Sequence, residues 1–290
     1  MAKFVHAHRH PIAGACFAIS GPVKDGRGKP SNLPWWVDAH QLARQLDVAM
    51  VGLINDLEAN AWGVAALEDQ DFLTLNQGDP NARGNAAIIA AGTGLGEAGF
   101  YWDGKDYLPF ACEGGHADFA PNNELEVELF RYLLTKFEHV SYERVLSGPG
   151  LYNLYQFLRD SGRGEEPAWL AEKMRAGDPS AAIAQAALEG SCALSVQALD
   201  WFVALYGAEA GNLALKIMST GGMYVGGGIA PKIIAKLKTP LFMQAFVAKG
   251  RLRPVMEAMP VRVILNDKTA LLGTARFAAL RCATTPSALA

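Results

Sequence analysis

The sequence predicts an α/β fold, and three observations predict it. An apolar strand pattern and helical patterns alternate from residue 38 to residue 67. Two apolar runs end in glycines, "NAAIIAAGTGLG" at 85–96 and "GGMYVGGGIAPK" at 221–232. The stretch from 124 to 218 is mostly helical in its periodicity. Buried strands interleaved with helices are the grammar of α/β domains.

In order along the chain, "AGACFAISGPV" at 13–23 is a short apolar run closed by a Gly-Pro turn, hence a strand. "KDGRGKP" reads as a hairpin turn or loop. "DAHQLARQLD" at 38–47 has Asp38 in N-cap position ahead of apolar residues at helical spacing. "VAMVGLIND" at 48–56 is a second buried strand, and "LEANAWGVAAL" is the helix after it. The strand at 85–96 is followed by "EAGFYWDGKDYLPF", where "DG" between apolar segments marks a hairpin. The helical stretch is broken by "SGPG" and by the polar loop "SGRGEEP". "GGMYVGGGIAPK" gives a strand running into a helix, "VRVILN" at 261–266 a last strand, and "TALLGTARFAAL" at 269–280 a last helix. The tail "RCATTPSALA" is expected to fray. No tandem repeat is present.

Bulk properties narrow the function. With 290 residues the chain has room for two domains or one large one. Half the residues are hydrophobic and 19% are charged, as in a folded globular protein. The net charge of −3 and the lack of a Lys/Arg stripe argue against a nucleic-acid partner. No apolar run reaches the roughly 18 residues of a membrane span, and no signal-peptide pattern opens the chain. Cys16, Cys112, Cys192 and Cys282 fit neither a disulfide framework nor a zinc finger, so reduced thiols in a cytoplasmic protein are expected. His6, His8 and His10 have the residue type of a metal tract but read more simply as a solvated segment.

Glycine lets a backbone approach a phosphate and aim several N–H groups at it, and two strands here end in glycines. The plain alternative for each is a tight turn. "GLGEAG" at 94–99 matches a dinucleotide pattern, yet "EAGFYW" reads as strand, so the required helix N-terminus is missing. Asn55 and Asp56 close a buried strand, where ligands bind in open α/β sheets. Asp56 is therefore a candidate base, with helix capping as the competing use of either residue. Glu113, His116 and Asp118 lie together in "CEGGHAD". A zinc site would need a fourth ligand at metal-like spacing, and the sequence offers none. Carboxylates and a neutral imidazole suit sugar hydroxyls better, and Glu143 in "YERVLSGPG" adds an acceptor.

These residues carry a resemblance. "LINDLEANAWG", "AAGTGLG", "EGGHADFAP", "ERVLSGPGLYNLY" and "GGMYVGGGIAPK" occur in the order seen in bacterial glucokinases, and the chain resembles that family from about Ala13 onward. The resemblance implies the hexokinase and actin-like ATPase superfamily, a ribonuclease H-like fold of two α/β domains with a cleft between them. The small domain would be 1–66 with 268–290, and the large one 67–267. It further implies ATP-dependent phosphorylation of glucose at the 6-hydroxyl, with ATP and Mg2+ as cofactors and a homodimer as the assembly. Asp56 would be the catalytic base, with Asn55, Glu113, His116 and Glu143 on the sugar. Gly92, Thr93, Gly94 and Gly96 would form a phosphate motif. Gly221, Gly222, Gly226 and Gly227 would belong to the adenosine motif. No cysteine-rich zinc motif comes after the Glu-His pair, so the non-zinc branch is implied and no resident metal site is expected. The family's opening D-x-G-G-T phosphate loop is absent from the 290 residues, so the small domain is expected to be incomplete at its N-terminus and the kinase activity impaired. The competing readings are a sugar-responsive regulator, a catalytically impaired sugar-binding fragment, and a nicotinamide dehydrogenase based on "GLGEAG".

Overall fold

The computed structural model describes residues 12–30 and 33–284. The histidine run at 6–10 and the tail beyond 284 lie outside the described residues. The chain divides into two units. One is Met1–Asp71 with Pro109–Ala111 and Asn266–Ala290; the other is Phe72–Leu108 with Cys112–Leu265.

In the first unit, β1 (Ala15–Ile19) has the sequence ACFAI. The hairpin expected at "KDGRGKP" is built from β2 (Val23–Lys24) and β3 (Arg27–Gly28). Asp25 and Gly26 both take positive φ, as a tight two-residue hairpin requires. β4 (Val37–Asp38) completes a small antiparallel sheet with them. Asp38 caps the Ala39–Leu46 helix by accepting from Gln41 N–H at 2.9 Å, and it also pairs with Arg27 at 3.1 Å. β5 (Val51–Asn55) runs parallel to β1 in register Ala15–Val51 to Ile19–Asn55.

β5 feeds directly into the Asp56–Val64 helix. That helix packs on the Thr269–Thr284 helix, which runs into the segment expected to fray. The contact is close because glycines face backbone. A Cβ on Gly273 would overlap the Ala59 carbonyl, and one on Gly63 would overlap the Thr269 carbonyl. Ile54, Ala59 and Phe277 form the small core beneath, with Trp62 edge-on to Phe277 at 5.6 Å.

The second unit carries a six-stranded sheet, apart from residues 109–111 of one edge strand. Its strands are β6 (Phe72–Asn76), β7 (Ala86–Ala91), β8 (Leu95–Trp102), β9 (Tyr107–Cys112), β10 (Gly222–Gly226) and β11 (Val261–Ile264). They are ordered β6-β11-β10-β7-β8-β9. β7, β10 and β11 are mutually parallel, and β6 and β8 run antiparallel to their partners. All of β7 is buried, which explains its unbroken apolar run. The helix Ala193–Ile217 buries Phe202 and Tyr206 against the sheet, within the main core. The Tyr206 hydroxyl accepts from Ala91 N–H at 3.0 Å and lies 3.2 Å from the Gly226 carbonyl. One buried side chain thus ties together the C-terminal ends of β7 and β10.

The glycine-to-backbone crossing in the first unit gives a stability prediction. Gly273→Val forces the two helices apart, and overpacking of this kind typically costs about 1–3 kcal/mol. Thermal denaturation is expected to show a lowered midpoint; an unchanged midpoint would mean the crossing is loose.

Candidate functional site

Asn55 and Asp56 stand where β5 becomes helix, and the two residues divide the work there. Asn55 is nearly fully buried. Its side-chain oxygen accepts from Leu57 N–H at 2.8 Å and Glu58 N–H at 3.3 Å, so Asn55 is the N-cap. Its amide donates to the Gly21 carbonyl at 3.1 Å, which fixes the loop after β1. One N–H of that amide is left over. Asp56 is thereby relieved of capping. Its carboxylate accepts from Leu57 N–H at 2.9 Å, and partial burial pushes its pKa above the usual aspartate value. A raised pKa makes a carboxylate a better proton acceptor.

In the second unit the turn after β7 is held from three directions. Gly92 N–H donates to the Gly94 carbonyl at 2.8 Å, and Gly148 N–H donates to the Gly92 carbonyl at 2.8 Å. Glu143 accepts from Leu95 N–H at 3.0 Å, and a Cβ on Gly94 would collide with the same carboxylate oxygen. Ser147 caps the Gly148–Asp160 helix through Gly150 N–H at 3.0 Å and donates to the Glu143 carbonyl at 2.7 Å. The "SGPG" break in helical pattern is therefore a capped helix start.

Beside this turn lies a cavity of about 740 Å³. Gly92, Thr93, Gly148 and Gly228 line one part of it; Leu151, Tyr152, Ala184, Ile229 and Ile233 give it apolar walls, with Asp178, Ser180 and Lys232 also on the lining. A volume of this order holds a drug-sized or cofactor-sized molecule. A Cβ placed on Gly92 or Gly228 would meet no atom within 4 Å. These two glycines face open space, as a cradle for a ligand does.

The "EGGH" loop rests on the start of β8. Gly114–His116 forms a single 3-10 turn, with His116 N–H bonded to the Glu113 carbonyl at 3.0 Å. A Cβ on Gly115 would overlap the Leu95 carbonyl, and one on Gly114 would overlap the Glu97 carboxylate. Two glycines are needed because the loop lies flat on a strand. Glu113 and His116 are exposed, and Glu143 is half-buried. Tyr142 N–H donates to the Ala117 carbonyl at 3.0 Å, which joins the loop to the turn that carries Glu143. Asp118 pairs with His139 at 2.8 Å. Among the described residues no group of three or more His, Cys, Asp or Glu is arranged to hold a metal ion.

The glycines predicted from sequence do not share one place. Gly92 and Thr93 line the large cavity. Gly94 lies against Glu143, and Gly96 is inside β8, paired with Ala90. Gly226 and Gly227 close β10 at the cavity end, with Gly227 at φ 82° against the Ala91 backbone. Gly221 and Gly222 sit at the opposite end of that strand, on a separate cavity of about 120 Å³ with Gln77 and Arg262. "GLGEAG" continues as strand β8, so no helix N-terminus stands behind it. Sequence reasoning passed over Tyr152, Asp178, Lys232 and Ile233. Their signal was weak: a helical stripe in "GPGLYNLY" and a cation just past the second glycine run.

A family model described as Glucokinase matches residues 1–281. A glucokinase from Nostoc sp. is 47% identical over 278 residues, covering 91% of this chain and 81% of that protein. One from Synechocystis sp. is 44% identical over 292 residues, covering 96% and 82% respectively. Among solved structures, the glucokinase of an Antarctic psychrotroph superposes with a TM-score of 0.78 at 28% identity, covering 91% of this chain and 80% of the other. These neighbours carry the actin-like ATPase fold that the resemblance implies, and this chain shares it.

Proposed function

The chain belongs to the glucokinase family, and from that premise we propose how its own residues carry the family's reaction. That reaction is ATP-dependent phosphorylation of glucose, giving glucose 6-phosphate and ADP. The sugar-responsive regulator and the dehydrogenase are not favoured: relatives up to 47% identical are glucokinases.

Asp56 is the base. As the bond from the 6-oxygen to the γ-phosphorus forms and the bond to the β-phosphate oxygen breaks, the hydroxyl proton passes to the Asp56 carboxylate. The observation that carries this reading is the division of labour at the end of β5: Asn55 takes the cap and leaves Asp56 half-buried with a raised pKa. Asn55 is a positioning residue that keeps one amide N–H for a sugar hydroxyl. Glu113 and His116 bind further hydroxyls. Glu143 does so through the carboxylate oxygen that Leu95 leaves unused.

ATP occupies the cavity of about 740 Å³, with its base between the apolar walls and its phosphates towards Gly92, Thr93 and Gly228. The open space over Gly92 and Gly228 supports this, because a phosphate needs that approach. Phosphoryl transfer demands mainly positioning and charge neutralisation. Lys232 supplies one positive charge on the lining. Mg2+ fits as an ion that arrives with the nucleotide, since it is usually held by one or two carboxylates plus substrate phosphates and water. When bound it neutralises charge on the phosphates.

The four cysteines are free, which supports a reducing compartment, the cytoplasm. A homodimer is inferred from the family resemblance and is tested by light scattering.

Asp56→Asn is expected to lower kcat by about 10²–10⁴-fold while glucose still binds, because the amide keeps the shape but takes no proton. In the unaltered protein the raised pKa puts the acid limb of the kcat/KM profile above the ordinary aspartate value of 3.8. Activity is retained above that pKa and lost as pH falls through it. Near-normal turnover by Asp56→Asn would reduce the residue to a structural role. Gly92→Val fills the cradle without meeting protein atoms at its Cβ. It is expected to raise the KM for ATP with little change in melting temperature or in KM for glucose. A raised KM for glucose alone would move the nucleotide elsewhere.

A further inference from the structure

Beneath the "EGGH" loop lies an acid pair that the reaction scheme does not use. Glu97 is 1% exposed on β8, and Glu209 is 0% exposed on the Ala193–Ile217 helix. Each has one carboxyl oxygen, Oε1, with no hydrogen-bond donor. The two carboxyls are within hydrogen-bond reach of each other. Two adjacent buried carboxylates do not both ionise; one proton shared between them supplies the missing donor.

The surroundings decide where that proton resides. Asn212 donates to Glu209 Oε2 at 2.8 Å, and the Lys216 ammonium stands 3.7 Å from its Oε1, beyond hydrogen-bond length. Burial raises the pKa of Glu209 too, but Asn212, Lys216, Tyr142 and Lys249 all pull it back toward the charged form. Lys216 also favours a charged Glu97, but by less than burial and Glu209 oppose it. The other titratable groups facing it are Tyr206 and Cys112, both held neutral by burial. The proton therefore belongs to Glu97. Burial first, and Glu209 second, push its pKa up to about 8.

The Glu97 carboxyl is part of the floor of the loop, since Gly114 lies directly on it. We propose that Glu97, as the protonated member of a shared-proton pair with Glu209, is a positioning residue for the sugar loop and sets where Glu113 and His116 stand. The proposal rests on the reading that this loop holds glucose. Ionisation of Glu97 puts a buried negative charge directly against Gly114, and the thin glycine loop is the element that gives way. Glucose binding is then coupled to retention of the proton.

The test is the pH dependence of steady-state constants. As pH rises through about 8, the KM for glucose is expected to climb, approaching about tenfold per pH unit, with kcat and the KM for ATP changing far less. Glu97→Gln, neutral and of the same shape, is expected to flatten that rise. Glu209→Gln removes the like charge, lowers the pKa of Glu97, and is expected to move the rise to lower pH. A Glu97→Gln enzyme that keeps the same rise overturns the proposal, as does a flat profile in the unaltered protein. If Glu97→Gln does not fold, as judged by its melting curve, the direction of the Glu209→Gln shift decides alone. Glu113→Gln separates the two readings: an unchanged KM for glucose in that variant refutes the sugar assignment and leaves the pH test of Glu97 intact.

Discussion

The close backbone approach at the start of β8 is the constraint on which the second unit's site depends. Within Gly94–Glu97, three of four neighbouring positions are claimed by two other parts of the chain. Gly94 and the Leu95 N–H take the Glu143 carboxylate, the Leu95 carbonyl faces Gly115, and Glu97 faces Gly114. The approaches at Gly94, Gly114 and Gly115 work only because those residues lack a side chain. The turn after β7 and the loop after β9 are consequently fixed to one strand rather than to each other. Stiffness is inherited from the sheet, since β8 pairs with the fully buried β7 from Ala86–Phe100 to Ala91–Leu95. Sites built on rigid elements hold their groups more precisely than free loops do.

Tyr206 plays the corresponding part at the neighbouring strand end. Its hydroxyl reaches both β7 and β10, so the two glycine-bearing ends keep a constant separation. A buried tyrosine with its hydroxyl satisfied is a stiff connector, because ring packing and hydrogen bonding fix the same rotamer. The ring packs edge-on to Phe202 and Phe242. The long helix therefore sets the rear geometry of the large cavity without lining it.

Much of this was legible in sequence where the signal is local. Hairpin chemistry at Asp25-Gly26, the cap at Asp38, the buried run of β7 and the strand-to-helix step at Asn55-Asp56 all depend on residues a few positions apart. Contacts made across the chain were not legible. Glu143 reaches Leu95 across 48 positions, and nothing in "YERVLSGPG" announces that its carboxylate is half consumed. Glycine runs also mislead about direction. "GGMYVGGG" has glycines at both ends of one strand, and only strand polarity tells which end faces the cavity. Glu97 was invisible for a related reason: an acid in a strand reads as solvent-facing until its burial is known.

The helix N-terminus beside the large cavity sharpens what recognition there can consist of. Helix starts bind anions through N–H groups that lack partners. At Gly148–Asp160 those donors are spent: Gly148 N–H goes to Gly92, Pro149 has none, Gly150 N–H goes to Ser147 Oγ, and Leu151 N–H goes to the Ser147 carbonyl. The helix still contributes its dipole, worth a fraction of a charge near its first turn. Direct hydrogen bonds to an anion must then come from the Gly92–Thr93 turn, from the Gly228 backbone and from Lys232. If the cavity holds the nucleotide as proposed, its affinity for a polyanion rests on backbone shape and a single lysine, so the open space above two glycines matters more than any one charged side chain.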